Sequence, residues 1–172
     1  MSEERVAAWV NLGQAARVVQ MALDVRLEAA AGVSGAEFDL LWRLRSTPGG
    51  RLQMSEIAGL ILASKSGVTR LVDRLVEAGL LSRETPASNR RVTYAQLTPR
   101  GQEILARAQV AFEGAFDEAF SRHLSDGDVR AVRLVLKKVL EGNGAWARDR
   151  CEPEFTGGEE HALAQEEAGE PA

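Results

Sequence analysis

Met54-Ser-Glu-Ile-Ala-Gly-Leu60, and after a short interval Ser64-Lys-Ser-Gly-Val-Thr-Arg70-Leu-Val-Asp-Arg-Leu-Val-Glu-Ala-Gly79, is the stretch on which the fold turns. In the first part Ser55 reads as the cap of a short helix with Ile57, Ala58, Ile61 and Leu62 on one side. Ala63-Ser-Lys-Ser-Gly67 is a tight turn that offers two hydroxyl caps. Val68, Leu71, Val72, Leu75 and Val76 then recur at helical spacing, and Gly79 is the left-handed stop. The expectation is a short helix, a turn and a second helix. Its inward positions are apolar, and Lys65, Ser66, Thr69, Arg70 and Arg74 share an outward surface.

Downstream, Leu80–Glu84 and the alternating Val92–Leu97 read as two strands, joined by the polar loop Pro86–Arg91 with Arg90 and Arg91 at its tip. Thr98 caps and Pro99 opens a long helix, proline being tolerated at a first helical position because its missing N–H has no intrahelical partner there. That helix is expected to bury Ile104, Ala108, Phe112, Phe116 and Phe120. Ser125-Asp-Gly-Asp128 opens a last helix through Val129, Val132, Leu136, Val139 and Leu140, fading between Gly142 and Trp146. Upstream, Arg51-Leu52-Gln53 is too short for more than a single β-bridge, and Pro48-Gly49-Gly50 breaks a helix carrying Phe38, Leu41, Trp42 and Leu44. Ser34 and Glu37 form a capping box for that helix. Before it, Trp9, Leu12, Ala16, Val19, Leu23 and Leu27 mark one stripe of a long helix from Val6 to about Gly32.

The order is mainly α with a small β-hairpin wing, a winged helix-turn-helix flanked by N- and C-terminal helices. Residues 34–101 are expected to form the winged lobe, 1–33 and 102–150 a helical dimerisation region, and 151–172 an acidic disordered tail. The terminal helices carry more apolar stripe than one small lobe can cover, so a homodimer is expected.

Composition excludes several classes. At 172 residues, with 45% hydrophobic and 27% charged, the chain is about one globular domain. No run approaches the roughly 18 apolar residues of a membrane span, and Met1-Ser-Glu-Glu-Arg5 does not lead into a signal core, so a cytoplasmic protein without a membrane partner is expected. One cysteine, Cys151, forbids an internal disulfide, and with only His123 and His161 neither a metal site nor a cofactor is expected. No nucleophile elbow, carboxylate pair near a histidine or phosphate-binding glycine loop is found, so an enzyme is not expected.

The net charge of −4 conceals an asymmetry. All 21 Lys and Arg precede Cys151, giving residues 1–150 a net of +3, whereas residues 151–172 hold seven acids and no base. The stretch 43–100 alone sums to +6, the electrostatic footprint of a nucleic-acid surface.

Taken together, Met54-Ser-Glu-Ile-Ala58, the run from Ser64 to Leu81, Arg90-Arg91 and Leu97-Thr-Pro-Arg-Gly101 closely resemble the MarR (multiple antibiotic resistance regulator) family of transcriptional regulators. The family's wing pattern keeps its arginine here at Arg91, while its aspartate is replaced by Asn89, which offers a hydrogen bond but no charge pairing. The resemblance implies an obligate homodimer that binds a double-stranded DNA operator, most often as a repressor. It also implies a small-molecule effector, aromatic or lipophilic, in a cleft between the dimerisation and DNA-binding regions.

Ser66, Thr69 and Arg70 are the candidate major-groove contacts, and Ser64 and Lys65 beside them are further candidate DNA-binding residues. Arg74 is placed to meet phosphate or to pair with Asp73 or Glu77. Arg91 is the candidate for the minor groove and Arg90 for the backbone. Trp9 and Trp42 are candidate cleft residues whose bland reading is plain core. His123 reads as structural, at a helix end. Two alternatives stand: a thiol-based redox regulator using Cys151, which has only Arg148 and Arg150 as nearby cations, and an interaction adaptor that keeps the winged fold.

Overall fold

The computed structural model describes residues 2–61, 64–86, 89–90 and 92–152. The order is α1 (Glu3–Ala31), α2 (Gly35–Ser46), β1 (Arg51–Gln53), α3 (Met54–Leu60), α4 (Lys65–Glu77), β2 (Leu81–Glu84), β3 (Tyr94–Leu97), α5 (Pro99–Ala119), α6 (Asp126–Gly142) and α7 (Arg148–Cys151). This is the mainly helical winged fold that the sequence predicts, with one addition. Arg51–Gln53 is a strand rather than a single bridge: it pairs antiparallel with β3, Leu52 opposite Ala95, and completes a three-stranded sheet of order β1-β3-β2.

α2 is the centre of the core. Phe38, Leu40, Leu41, Trp42 and Leu44 are all buried, on more than one face of the helix, because α1, α5 and the sheet surround it. Burying each such side chain contributes roughly 1.5–3 kcal/mol of transfer free energy. The helix starts where the sequence indicates. The Ser34 hydroxyl accepts from the Glu37 N–H, and Glu37 accepts from the Ser34 N–H at 2.8 Å. α3 is capped differently from the expectation: Gln53, not Ser55, is its N-cap, and Glu56 accepts from the Gln53 N–H at 2.6 Å.

α1 and α5 pack antiparallel, since Arg107 reaches the Ala30 carbonyl while Arg26 pairs with Glu118 at 2.6 Å. The expected α5 stripe is partly shifted. Ala108 is buried, but Leu105 and Ala115 are the other buried apolar side chains, and Ile104, Phe112, Phe116 and Phe120 are half-buried. The phenylalanines form a ladder instead: Phe38–Phe112 at 4.8 Å, Phe112–Phe116 at 5.5 Å and Phe116–Phe120 at 5.2 Å between centroids. α6 opens at Ser125 as expected, with a Ser125–Asp128 capping box, but buries no residue. α7 lacks a periodic signal, and its four residues extend helical structure to Cys151, which the sequence places outside every folded element.

The wing is fixed to α5 at one close junction. Gly79 takes φ 73°, and the Leu80 N–H closes the α4 end onto the Leu75 carbonyl at 2.8 Å. The Leu80 carbonyl then accepts from the Thr98 N–H at 3.1 Å, while the Thr98 hydroxyl accepts from the Gly101 N–H at 2.9 Å. Gly101 lies so near that a Cβ there would stand 2.1 Å from the Leu80 oxygen. Backbone must therefore move to admit any side chain.

Gly101→Ala is expected to cost at least about 1–3 kcal/mol by overpacking. Gly59→Ala, in α3 with nothing within 4 Å of the new methyl, is expected to gain about 0.5–1 kcal/mol of helix stability. Urea unfolding of the two variants checks the opposite signs, and equal behaviour would refute the junction's tightness.

Candidate nucleic-acid interface

α4 presents one buried and one open face. Val68, Leu71, Val72 and Leu75 are buried, and Lys65, Ser66, Thr69, Arg70, Asp73 and Arg74 are exposed. The helix starts at Ser64, whose hydroxyl accepts from the Gly67 N–H at 3.1 Å, a cap worth about 1 kcal/mol. Ser64 also lies 3.2 Å from the Ser66 hydroxyl. The Thr69 hydroxyl donates to the Lys65 carbonyl at 2.9 Å, which leaves its oxygen lone pairs and methyl group facing out. Ser64, Lys65, Ser66, Thr69 and Arg70 are thus gathered on the first turns of one helix, whose positive dipole end favours phosphate.

The local charges sort into paired and unpaired sets. Arg74 pairs with neither Asp73 nor Glu77: its Nε donates to Glu37 of α2 at 3.1 Å. Asp73, an acid on the exposed face of α4, is matched by Arg83 of β2. Arg51 meets Glu84 at 3.5 Å and lies 4.9 Å from the Tyr94 ring, and Arg43 is held by Asp39 at 2.9 Å. Among the described residues Lys65, Arg70 and Arg90 have no acidic partner. The sequence reading missed Glu37, Asp73 and Arg83 as the residues that tune this face, because both pairings, Arg74–Glu37 and Arg83–Asp73, join different elements. The hydrophobic face of α4 is visible in the sequence; the ion pairs are not.

In the wing, Asn89 donates its N–H to the Pro86 carbonyl at 3.1 Å and accepts at its own carbonyl from Val92 at 3.2 Å, so the chain turns tightly where Arg90 is exposed. Thr85 and Thr93 face each other across the hairpin with hydroxyls 3.3 Å apart. Arg91 lies outside the described residues.

Two depressions flank Trp42. A small one of about 110 Å³ is lined by Gln20, Leu23, Phe38, Trp42 and Phe112, between α1, α2 and α5. A groove of about 570 Å³ runs from Trp42 and Thr47 past Leu52 and Leu60 to Arg148 and Glu152. Trp9 lines neither of them. It is 71% exposed, which overturns its core reading within a single chain and separates it from Trp42. His123 stands in a 3₁₀ turn after α5 with Nε2 3.0 Å from the Glu118 carbonyl, a helix-end contact. Cys151 is half-buried at the end of α7, inside a folded element rather than in the tail where the sequence reading puts it. His161 and residues 153–172 lie outside the described residues. Among those described, no cluster suits a metal ion and no helix is long and apolar enough to cross a membrane.

A short helix, a turn, a second helix with outward cations, and a hairpin on a three-stranded sheet define a winged helix-turn-helix DNA-binding regulator. A sequence model of the MarR family matches residues 31–92. A protein of Thauera aromatica named for transcriptional regulation of the hcr operon is 30% identical over 127 residues, 74% of either chain. The transcriptional repressor MprA of Escherichia coli (strain K12) is 32% identical over 111 residues, 64% of this chain and 62% of its own. The crystal structure of Sco3205, a MarR family transcriptional regulator from Streptomyces coelicolor in complex with DNA, superposes with a TM-score of 0.78 at 28% identity, covering 83% of this chain and 89% of that one. The chain belongs to the MarR family; it is a DNA-binding transcriptional regulator and not an enzyme.

Glu37 links the recognition helix to the core and carries a pH signature. Burial raises its pKa, but hydrogen bonds from the Ser34 N–H and hydroxyl and from Arg74, with the Arg74 charge, outweigh that and leave it below the usual glutamate value. A depressed carboxylate stabilises the fold above its unfolded pKa, and the contribution fades as pH falls through the folded one. Glu37→Gln is therefore expected to lower stability by about 1–2 kcal/mol near pH 7 and by much less near pH 3. Urea denaturation at both pH values checks this; a deficit independent of pH would refute the charge role.

Proposed function

We propose that the protein acts in the cytoplasm as a homodimeric repressor, binding a pseudo-palindromic operator through two copies of α4 and the wing, and released by a small aromatic or lipophilic effector. The observation that carries the DNA side is the exposed first half of α4, where Lys65 and Arg70 lack acid partners while the neighbouring Glu37 and Asp73 are each paired with an arginine. Arg70 is the base reader, supported by Ser66 and Thr69. Lys65, Arg74 and Arg90 serve phosphate, and Ser64 holds the helix start against the backbone. By the family's wing motif, Arg91 enters the minor groove.

The dimer is supported by apolar surface that one chain leaves open: Trp9 at 71%, Val25 at 69% and Val110 at 73% exposure, together with α6 and its exposed Leu134, Val135 and Val139. So much uncovered apolar surface is costly in water, and pairing with a second copy removes it. Helices α1, α5 and α6 then form the dimerisation region, with the winged lobe between them. The repressor reading is supported by the relative MprA, and the effector reading by the aromatic walls of the depressions beside Trp42.

Selection of binding sites from a random library tests the assignment. Arg70→Ala should weaken binding and relax the central bases, because one bidentate base contact discriminates by roughly 1–3 kcal/mol. Arg91→Ala should weaken binding while keeping the central bases, with at most a lost A·T preference in the flanks. Half-sites should lie about one helical turn apart. Protection of a single asymmetric half-site would overturn the dimer, and exchanged phenotypes of the two arginines would make the wing the reader.

A further inference from the structure

The basic face of α4 is matched inside the same chain by an acidic segment that the DNA-binding reading leaves without a role. Residues 153–172 contain Glu154, Glu159, Glu160, Glu166, Glu167 and Glu170 and not one Lys or Arg. The place from which this segment departs is what gives it meaning.

The residues just before it are fastened to the winged lobe. Arg43 of α2, gripped by both oxygens of Asp39 at 2.9 and 3.0 Å, turns its two terminal nitrogens to the carbonyls of Asp149 at 3.3 Å and Arg150 at 3.2 Å. Arg150 in turn donates to the Ala145 carbonyl at 2.8 Å, and Glu152 pairs with Arg133 of α6 at 2.8 Å. Glu152 consequently shares a groove with Leu52 and with Leu60, the last residue of α3. Leu60 is five residues from Lys65, at most about 19 Å along the chain. The acidic segment therefore starts in the groove that the end of α3 borders and not at the far end of α6. Twenty residues reach up to about 66–72 Å when extended, several times that separation.

We propose that the exposed cations of α4 and the wing, Lys65, Arg70 and Arg90, form a docking surface for the chain's own segment 153–172, which occupies it in the absence of DNA and must be displaced when DNA binds. The inference rests on the reading of α4 and the wing as the DNA surface. The charge pattern favours this occupant. The arginines nearest the core are already satisfied by Glu37, Asp73, Glu84 and Asp39, so the uncommitted cations are those that an incoming polyanion meets first. Covalent attachment supplies the glutamates at an effective concentration near millimolar, enough for a weak multi-point contact to compete. Docking neutralises cations before DNA arrives, so fewer counterions are released on binding, and the dependence of affinity on salt should be shallower with the segment charged than without.

The test compares the full chain with the full chain carrying Glu154→Gln, Glu159→Gln, Glu160→Gln, Glu166→Gln, Glu167→Gln and Glu170→Gln; a stop after Glu152 serves as second variant. At low salt both variants should bind a duplex containing the selected operator on the order of three- to tenfold more tightly, with a steeper salt slope, and the gain should vanish at high salt. In the absence of DNA, amide chemical shifts should differ between full chain and variants at Lys65, Arg70 and Arg90. Equal affinities, or shift differences confined to residues 145–152, would overturn the proposal. If no form binds DNA, the DNA-surface reading fails, and the shift comparison alone still decides whether the segment docks.

Discussion

Backbone at Gly101 approaches the Leu80 carbonyl so closely that no side chain fits between them, and three elements meet at that point. The end of α4 delivers Leu80, β3 delivers Thr98, and α5 begins at Pro99. Because the Leu80 oxygen accepts from the Thr98 N–H while the Thr98 hydroxyl accepts from Gly101, the strand exit and the helix entry are satisfied by one another's polar groups instead of by water. The orientation of the recognition helix relative to α5 is set there by backbone, which deforms less readily than side-chain packing. Leu-Thr-Pro-Arg-Gly is thus a structural sequence first: Leu97 fills the core, Thr98 caps, and Gly101 makes room.

Charge does its work on α4 by subtraction. A net of +6 over residues 43–100 describes no surface in particular until its arginines are assigned to partners. Arg43, Arg51, Arg74 and Arg83 are occupied by carboxylates within the lobe, Arg74 tying α4 to α2 and Arg83 tying the sheet to α4. Exposed pairs of this kind contribute little stability each, but they remove Asp73 and Glu37 from the field that an anion meets. What remains is smaller than the sum and better placed, at the start of a helix and the tip of a hairpin.

How much of this was legible in the sequence follows from the range of each interaction. Caps at Ser34, Thr98 and Ser125 are satisfied within three residues and read correctly, and of the two hydroxyls offered before α4 it is Ser64 that caps. Gln53 did not, because a glutamine is a rare cap and Ser55 is the residue type to expect. The link between Arg74 and Glu37 spans 37 residues and leaves no local mark, so the nearer acids Asp73 and Glu77 looked equally suitable. Trp9 shows a different limit: a helical stripe has the same period whether it meets its own core or another molecule, and periodicity does not say which. α7 is too short to have a period at all. Of the proposed site, the helix face was visible from residue types, and its electrostatic trimming was not.

The phenylalanine ladder has a mechanical meaning beyond its contribution to packing. Phe38 belongs to α2, in the winged lobe, and Phe112, Phe116 and Phe120 to the α5 side; the pair that joins the two helices, Phe38–Phe112, is stacked at 23°. Parallel rings slide over one another with little change in dispersion energy, whereas prising them apart forfeits the pair's roughly 0.5–1.5 kcal/mol together with the buried area. Translation of α2 along α5 is therefore the soft direction at this contact, and tilting it away is the stiff one.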